Sequence, residues 1–416
     1  MTASNGTIRY HSLDALRAFA LLLGIVFHAS ESFIPYIPAG EWAIKDVSEN
    51  AIPGVFFYTC HIFRLQLFFV MSGFFAHLVY HKRGAGVFIR QRLMRIGVPL
   101  IAGWAIIFPM LVYIWILGAM KSGVGMEQIP LEAADLPPLV LTIGAIVSLG
   151  VFEEGINLTH LWFLYYLLML YAIVLALRFV LDVFLDRGER VRRRLDRIFA
   201  WIVRSPWNVV IFAIPTIPSL LIMGTSFGVR TPNESLAPDA PVVWTYLLFF
   251  GLGWLLHRQV DLLSAFLRRW PIHLTAALIL LAPLFVMFDR GLSTDALYIL
   301  YFSLYALDMW LWVFGFIGLF LQFCGGESRR RRYIADSSYW LYILHLPLVT
   351  WLQVQFAHLE WNWVIKFALI NVITFPILFL SYHYFVRSTF IGQVLNGRKY
   401  PFQRLIFKRR KQLAET

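Results

Sequence analysis

Runs of about twenty apolar residues recur along this 416-residue chain, and a run of that length wound as a helix matches the thickness of a bilayer's hydrocarbon core. They fall at approximately 13 to 36, 53 to 79, 96 to 118, 160 to 184, 207 to 224, 242 to 257, 272 to 288, 297 to 323, 334 to 356 and 363 to 386. With 59% hydrophobic residues and only 14% charged ones, the chain has more apolar surface than a single soluble core could use. The expected fold class is therefore an all-α polytopic membrane protein with about ten transmembrane helices.

The loops orient that frame. One set, 81 to 95, 186 to 206, 258 to 271, 324 to 332 and the tail from 387, holds nearly all the loop Lys and Arg. The opposite set has Lys45, Lys121, Arg230 and Arg290 and is otherwise acidic or neutral. The positive-inside rule then puts both termini in the cytoplasm. The net charge of +12 reports topology rather than nucleic-acid binding, since the basic residues sit in short loops between apolar runs. The run from Leu139 to Phe152 would invert the later charge bias if it crossed, so it is expected to be re-entrant or interfacial. The first segment carries Asp14 and Arg17 and lacks a convincing small-residue cleavage site, so it is read as a retained helix. The expected division is a transmembrane domain over 1–390 and a basic cytoplasmic tail over 391–416. Cys60 and Cys324 are expected near opposite faces, which argues against a disulfide framework.

Polar residues inside the apolar frame are costly and mark candidate sites. Ten residues separate Arg17 from His28, so at about 100° per residue both lie on one helix face, about 16 Å apart along the axis. Asp14, Gly24 and Glu31 share the stripe. An interfacial Asp14–Arg17 ion pair with His28 as a satisfied core histidine is the structural alternative. On the second span His61 and Arg64 are three apart, followed by Gln66, and Arg64 could equally anchor the helix by snorkelling to the outer interface. Arg92 and Arg95 precede Gly97-Val98-Pro99 at the expected cytoplasmic start of a helix. Guanidinium groups and free amide donors there could hold phosphates, although topology alone also demands a basic cluster. His160 and Trp162 open a span on the outer side and combine an acid or base with an aromatic face, or belong to the membrane belt. His345 sits at mid-depth near Pro347, which frees a backbone carbonyl and could make the histidine a structural partner.

The Arg17 to His28 spacing, Arg92 and Arg95 before Gly-Val-Pro, the sequence His160-Leu-Trp-Phe-Leu and the late Ser338-Tyr-Trp-Leu-Tyr-Ile-Leu-His345 together resemble the membrane-bound acyltransferase-3 family. Ser12-Leu-Asp-Ala-Leu-Arg17-Ala, Gly24-Ile-Val-Phe-His28 and His61-Ile-Phe-Arg64-Leu-Gln66 most resemble members that succinylate osmoregulated periplasmic glucans. The likeness covers about 10 to 390, and no family motif falls between about 185 and 330.

The resemblance implies a multi-pass protein of the bacterial inner membrane that moves an acyl group, succinyl or acetyl, from cytoplasmic acyl-CoA to hydroxyls of a periplasmic glucan. It implies His28 as the catalytic histidine, with Arg17, Arg92 and Arg95 holding the donor. Glu31 is the better placed of two carboxylates to orient the imidazole, Asp14 lying towards the donor end. His61, Arg64, Gln66, His160, Trp162 and His345 are expected to recognise acceptor or acyl group, Arg64 meeting a succinyl carboxylate. A neutral imidazole accepting the hydroxyl proton would supply about 10²- to 10⁴-fold, and whether it also carries the acyl group stays open. No metal is expected, since no close His, Cys or carboxylate set has ligand spacing. Expected partners are succinyl-CoA or acetyl-CoA as a donor substrate rather than a resident cofactor, the glucan and membrane lipids, with a homo-oligomer left open by the sequence. The alternative function is a transporter or flippase for a glycan or lipid-linked intermediate, and a non-catalytic assembly or sensory protein is a third.

Overall fold

The computed structural model describes residues 10–124, 136–148, 156–184 and 189–402. Among these the fold is built from helices, without extended strands. The longer ones are α1 (His11–Ser30), α2 (Ala51–Arg92), α3 (Val98–Ser122), α4 (Pro138–Ser148), α5 (Trp162–Phe184), α6 (Glu189–Arg204) and the short pair α7 (Asn208–Ala213) and α8 (Ile217–Met223). They are followed by α9 (Ala240–Arg258), α10 (Leu263–Arg290), α11 (Asp295–Phe323), α12 (Arg329–Phe356), α13 (Trp363–Ser381) and α14 (Phe390–Asn396). Loop residues with short polar side chains start several of them: Asn50 accepts from the Ile52 amide, Thr294 from Leu297, Ser328 from Arg331 and Asn362 from Val364.

Among the described residues, seven helical segments are long and apolar enough to cross a membrane. One of them, Ala51–Ser122, contains two of the runs expected from sequence, and the chain passes from α2 to α3 through a π-helical turn at Leu93–Gly97. The expected loop at 81 to 95 is thus helical, interrupted only at Gly84, whose φ of 76° takes a conformation that side chains disfavour. The expected span at 207 to 224 is instead α7 and α8, broken around Pro215, which lacks the amide a continuous helix would need there. The run at 334 to 356 does form a single helix, α12, but is not among the seven apolar segments. Its buried face carries Ser337, Ser338, His345, Thr350 and Gln353. Helix α4 has 11 residues, about 16 Å, too short to cross the hydrocarbon core, and it lies on α3; residues 149–152 of that expected segment lie outside the described residues.

Helix α1 occupies the middle, packed against α2, α11, α12 and α13. The contact of α2 with α9 relies on Gly73 and Gly253, where an added Cβ would collide with the Phe250 and Val70 carbonyls of the facing helix. Without a hydrophobic drive between helices in lipid, such close backbone approach supplies the van der Waals contact that holds them. Residues 391–402 pack back on the bundle: the Leu395 carbonyl accepts from Arg95, Asn396 donates to the Tyr382 hydroxyl, and Tyr400 donates to Asp336. Residues 403–416 of the expected tail lie outside the described residues.

The segment between α1 and α2 is tied down at several points. Asp46 and Lys366 form an ion pair at 2.6 Å with both side chains almost fully buried, and Lys366 also donates to the Ala357 carbonyl. The Asp46 amide donates to the Ser32 carbonyl and the Ser48 hydroxyl accepts from the Trp363 amide. Burial raises the Asp46 carboxyl above the usual carboxylate range, with Lys366 opposing that shift. These links carry Trp42 to the site described next.

Candidate active site

Residues from α1, α2, α3, α5, α12 and the connecting segments enclose a cavity of about 980 Å³. Its rim includes the exposed Glu41 and Glu234, so it opens on the side of the His28 end of α1. His28, Glu31, His61, Arg64, His160, Trp162 and His345 all line it.

The i, i+3 spacing of His28 and Glu31 brings them together where α1 ends and a short 3₁₀ turn begins. His28 Nδ1 and Glu31 Oε2 share a hydrogen bond of 2.8 Å. With Glu31 as a carboxylate, which only accepts, the ring proton sits on Nδ1 and the Nε2 lone pair is available. The histidine is held from two further directions. Gln353 Nε2 donates to the His28 carbonyl at 2.9 Å, and Trp42 Nε1 donates to Gln353 Oε1 at 2.9 Å. The Trp42 ring lies nearly parallel to the imidazole, their planes 6° apart.

Arg64 faces this cavity and does not snorkel outward. Its guanidinium stands 4.0 Å from the centre of the Phe27 ring, a cation–π contact, and lies against Gly24, where any Cβ would crowd Nη1. Having no side chain, Gly24 leaves a gap in the polar stripe of α1 between Arg17 and His28, and the guanidinium fills it. Among the described residues Arg64 forms no ion pair, and its Nε has no hydrogen-bond partner.

The other histidines are set by α12. Pro347 cannot donate to the carbonyl four residues earlier, and His160 Nε2–H fills that vacancy, donating to the Ile343 carbonyl at 3.1 Å. The Tyr342 hydroxyl donates to the His160 carbonyl at 2.7 Å. His160 follows Thr159, whose φ is 51°, a strained value for a β-branched residue. His345 Nδ1–H donates to the Tyr342 carbonyl at 2.6 Å, and its ring lies 5.2 Å, centre to centre, from both His28 and His160.

The remaining expected residues lie elsewhere. Gln66 is fully buried but does not line the cavity, because two residues along a helix turn the side chain by about 200° from Arg64. Arg17, Arg92 and Arg95 gather around Tyr171, about three turns of α1 away from His28. Arg17 stands 3.5 Å from Asp14 and over the Phe75 ring. Arg92 stands over Phe88 and Tyr171. Arg95 Nε and Nη2 both donate to the Leu395 carbonyl, which occupies one edge of its guanidinium. The free amide donors expected beside Arg92 and Arg95 are not there, because helix runs through them: Leu93 donates to Ile89 and Arg90, and Val98 to Leu93.

Sequence reasoning missed Trp42, Gln353 and Tyr342 as parts of this site. Gln353 and Tyr342 carried a signal only as two of several polar groups on α12; Trp42, in a loop, carried none.

A family model described as an acyltransferase domain matches residues 10–383. The Glucans biosynthesis protein C of Escherichia coli (strain K12) is 25% identical over 390 residues, covering 90% of this chain and 91% of that relative. The protein of the same name from Escherichia coli O157:H7 matches equally. No solved structure matches. With a match across nearly its whole length and several long apolar helices, this chain belongs to the acyltransferase-3 family and is a membrane acyltransferase.

Proposed function

We propose that this protein moves a succinyl group from cytoplasmic succinyl-CoA to hydroxyls of a periplasmic glucan, across the bacterial inner membrane. The observation that carries the reading is the His28–Glu31 pair on the wall of a large cavity that opens at the His28 end of α1. A sugar hydroxyl is a poor nucleophile near neutral pH. His28 Nε2 takes its proton as the oxygen attacks the thioester carbonyl carbon, Glu31 stabilises the imidazolium that forms, and the carbon–sulfur bond breaks. The departing thiolate receives the proton, so hydroxyl and thioester become ester and thiol with no net proton change. His28 acts as base in this scheme, without an acyl-enzyme.

Arg17, Arg92 and the open edge of Arg95 hold the phosphates of the donor, with Asp14 positioning Arg17. Three guanidinium groups around one tyrosine suit a polyanion. Arg64 takes the free carboxylate of the succinyl group; its support is a cavity-facing guanidinium without an ion pair among the described residues. Aromatic Trp162 and the histidines His61, His160 and His345 face the acceptor, while Gln66, away from the cavity, has no direct part. The name of the relatives, Glucans biosynthesis protein C, supports a glucan as acceptor.

The test combines mass spectrometry of periplasmic glycans with donor-dependent labelling in membrane vesicles. A mass increment of a succinyl ester on a glucan is expected with the wild-type gene and lost with His28→Ala while the protein remains inserted. Retained transfer in His28→Ala sinks the assignment, and glycan export without any donor dependence favours a transporter.

A further inference from the structure

Nε2 of His345 is a buried acceptor that the fold leaves unused. His345 is 1% exposed and lines the cavity, and its Nε2 has no hydrogen-bond partner among the described residues. The Tyr342 carbonyl accepts a hydrogen bond from Nδ1–H, so the neutral ring carries its lone pair at Nε2. The neighbouring histidines are differently committed: His28 Nδ1 to Glu31 and His160 Nε2 to the Ile343 carbonyl. Buried polar atoms are ordinarily paired, and an orphan on a cavity-lining side chain beside a reacting group points to a ligand that completes it.

The chemistry of that ligand follows from the lone pair. An acceptor reads an O–H or N–H group and gives nothing to a carboxylate, a phosphate or a thioester carbonyl. A sugar presents hydroxyls side by side, and the His345 and His28 rings are 5.2 Å apart, close enough for two hydroxyls of one ring to meet the two imidazoles. We propose that His345 Nε2 accepts a hydrogen bond from the hydroxyl next to the one His28 deprotonates, and thereby selects which position of the acceptor ring is acylated. This rests on the acyl-transfer reading above and adds to it a residue that sets regiochemistry.

The experiment uses the full-length protein in lipid nanodiscs, a glucose oligomer as acceptor and the set of its monodeoxy counterparts. Wild type, His345→Leu and His345→Gln are compared, the last keeping a carbonyl acceptor. One deoxy position should lower kcat/KM on the wild type by about tenfold or more, the loss of one hydrogen bond. The same deoxy change should cost nothing further on His345→Leu, because two deletions of one bond do not add. His345→Gln should restore part of the rate and of the single acylation position, and His345→Leu should spread the ester over several positions by linkage analysis. Losses that multiply, unchanged regiochemistry in His345→Leu, or a rise in KM for the acyl donor alone would overturn the assignment. Should the wild type transfer nothing, the acyl-transfer reading fails separately. Dissociation constants for the same oligomers without donor then decide His345, by the same non-additivity.

Discussion

Replacing Glu31 by glutamine keeps the shape of the side chain and removes one charge, which sits beside the proposed base and is also felt by Arg64. The side chain keeps its length, and its amide oxygen can still accept from His28 Nδ1, so the ring keeps its tautomer and orientation. What changes is the transition state. There His28 becomes an imidazolium, and in the proposed scheme its partner at 2.8 Å, a side chain with only 8% of its surface exposed, acts as a carboxylate. Hydrogen bonds to charged groups contribute about 1.5–3 kcal/mol, the upper end applying to a bond this short and shielded. At 1.36 kcal/mol per factor of ten, a loss of about 3 kcal/mol slows the chemical step roughly 10²-fold. In the ground state the imidazole is neutral, so acceptor KM should move little and the loss should fall on kcat. The assay is initial rate of acyl transfer in proteoliposomes against acceptor concentration. A kcat within about threefold of wild type would refute the charge-stabilising role, and a rise in acceptor KM at unchanged kcat would make Glu31 a binding residue.

Arg64→Ala should slow transfer from succinyl-CoA by about 10²-fold or more, the scale of a buried charge-assisted contact, while acetyl-CoA is affected far less; equal losses measured in parallel donor assays would remove carboxylate recognition. Lys366→Met strands the buried Asp46 carboxylate and should destabilise the protein by about 3–5 kcal/mol, read as a fall in thermal midpoint in detergent. The double variant with Asp46→Asn should recover much of that, and a double no better than the single would show that the pair is not what holds this segment. Gly253→Val drives a Cβ carrying two methyl groups into the Val70 carbonyl at the α2–α9 crossing, so poor insertion or loss of monodisperse protein is expected on size-exclusion chromatography.

Much of the candidate site could be read along single helices. The Arg17 to His28 stripe, the gap at Gly24 and the His28–Glu31 step are consequences of 3.6 residues per turn, and so is the separation of Gln66 from Arg64. The misread parts involve chain continuity or distance. A basic cluster followed by Gly97, Val98 and Pro99 has the look of a helix start, yet a proline tolerated in the first turn of one helix sits equally well after a π-helical turn that never releases its amides. Arg64 could be an anchor or a cavity wall until its neighbours are known; Phe27 and Gly24 on α1 decide it.

By itself the sequence determined the solvent: runs of apolar residues the length of a bilayer, with loops of opposite charge, commit the chain to helices in lipid. It also determined which polar residues share a helix face, because that is local geometry. The tertiary structure alone decided which faces meet. Trp42 reaches Gln353 across 311 residues of chain and Gln353 reaches His28 across 325, and His160 completes a carbonyl that Pro347 leaves bare 183 residues away from it. Such contacts depend on where glycines let helices approach and on which buried atoms lack a local partner. Periodicity within one helix carries no information about either.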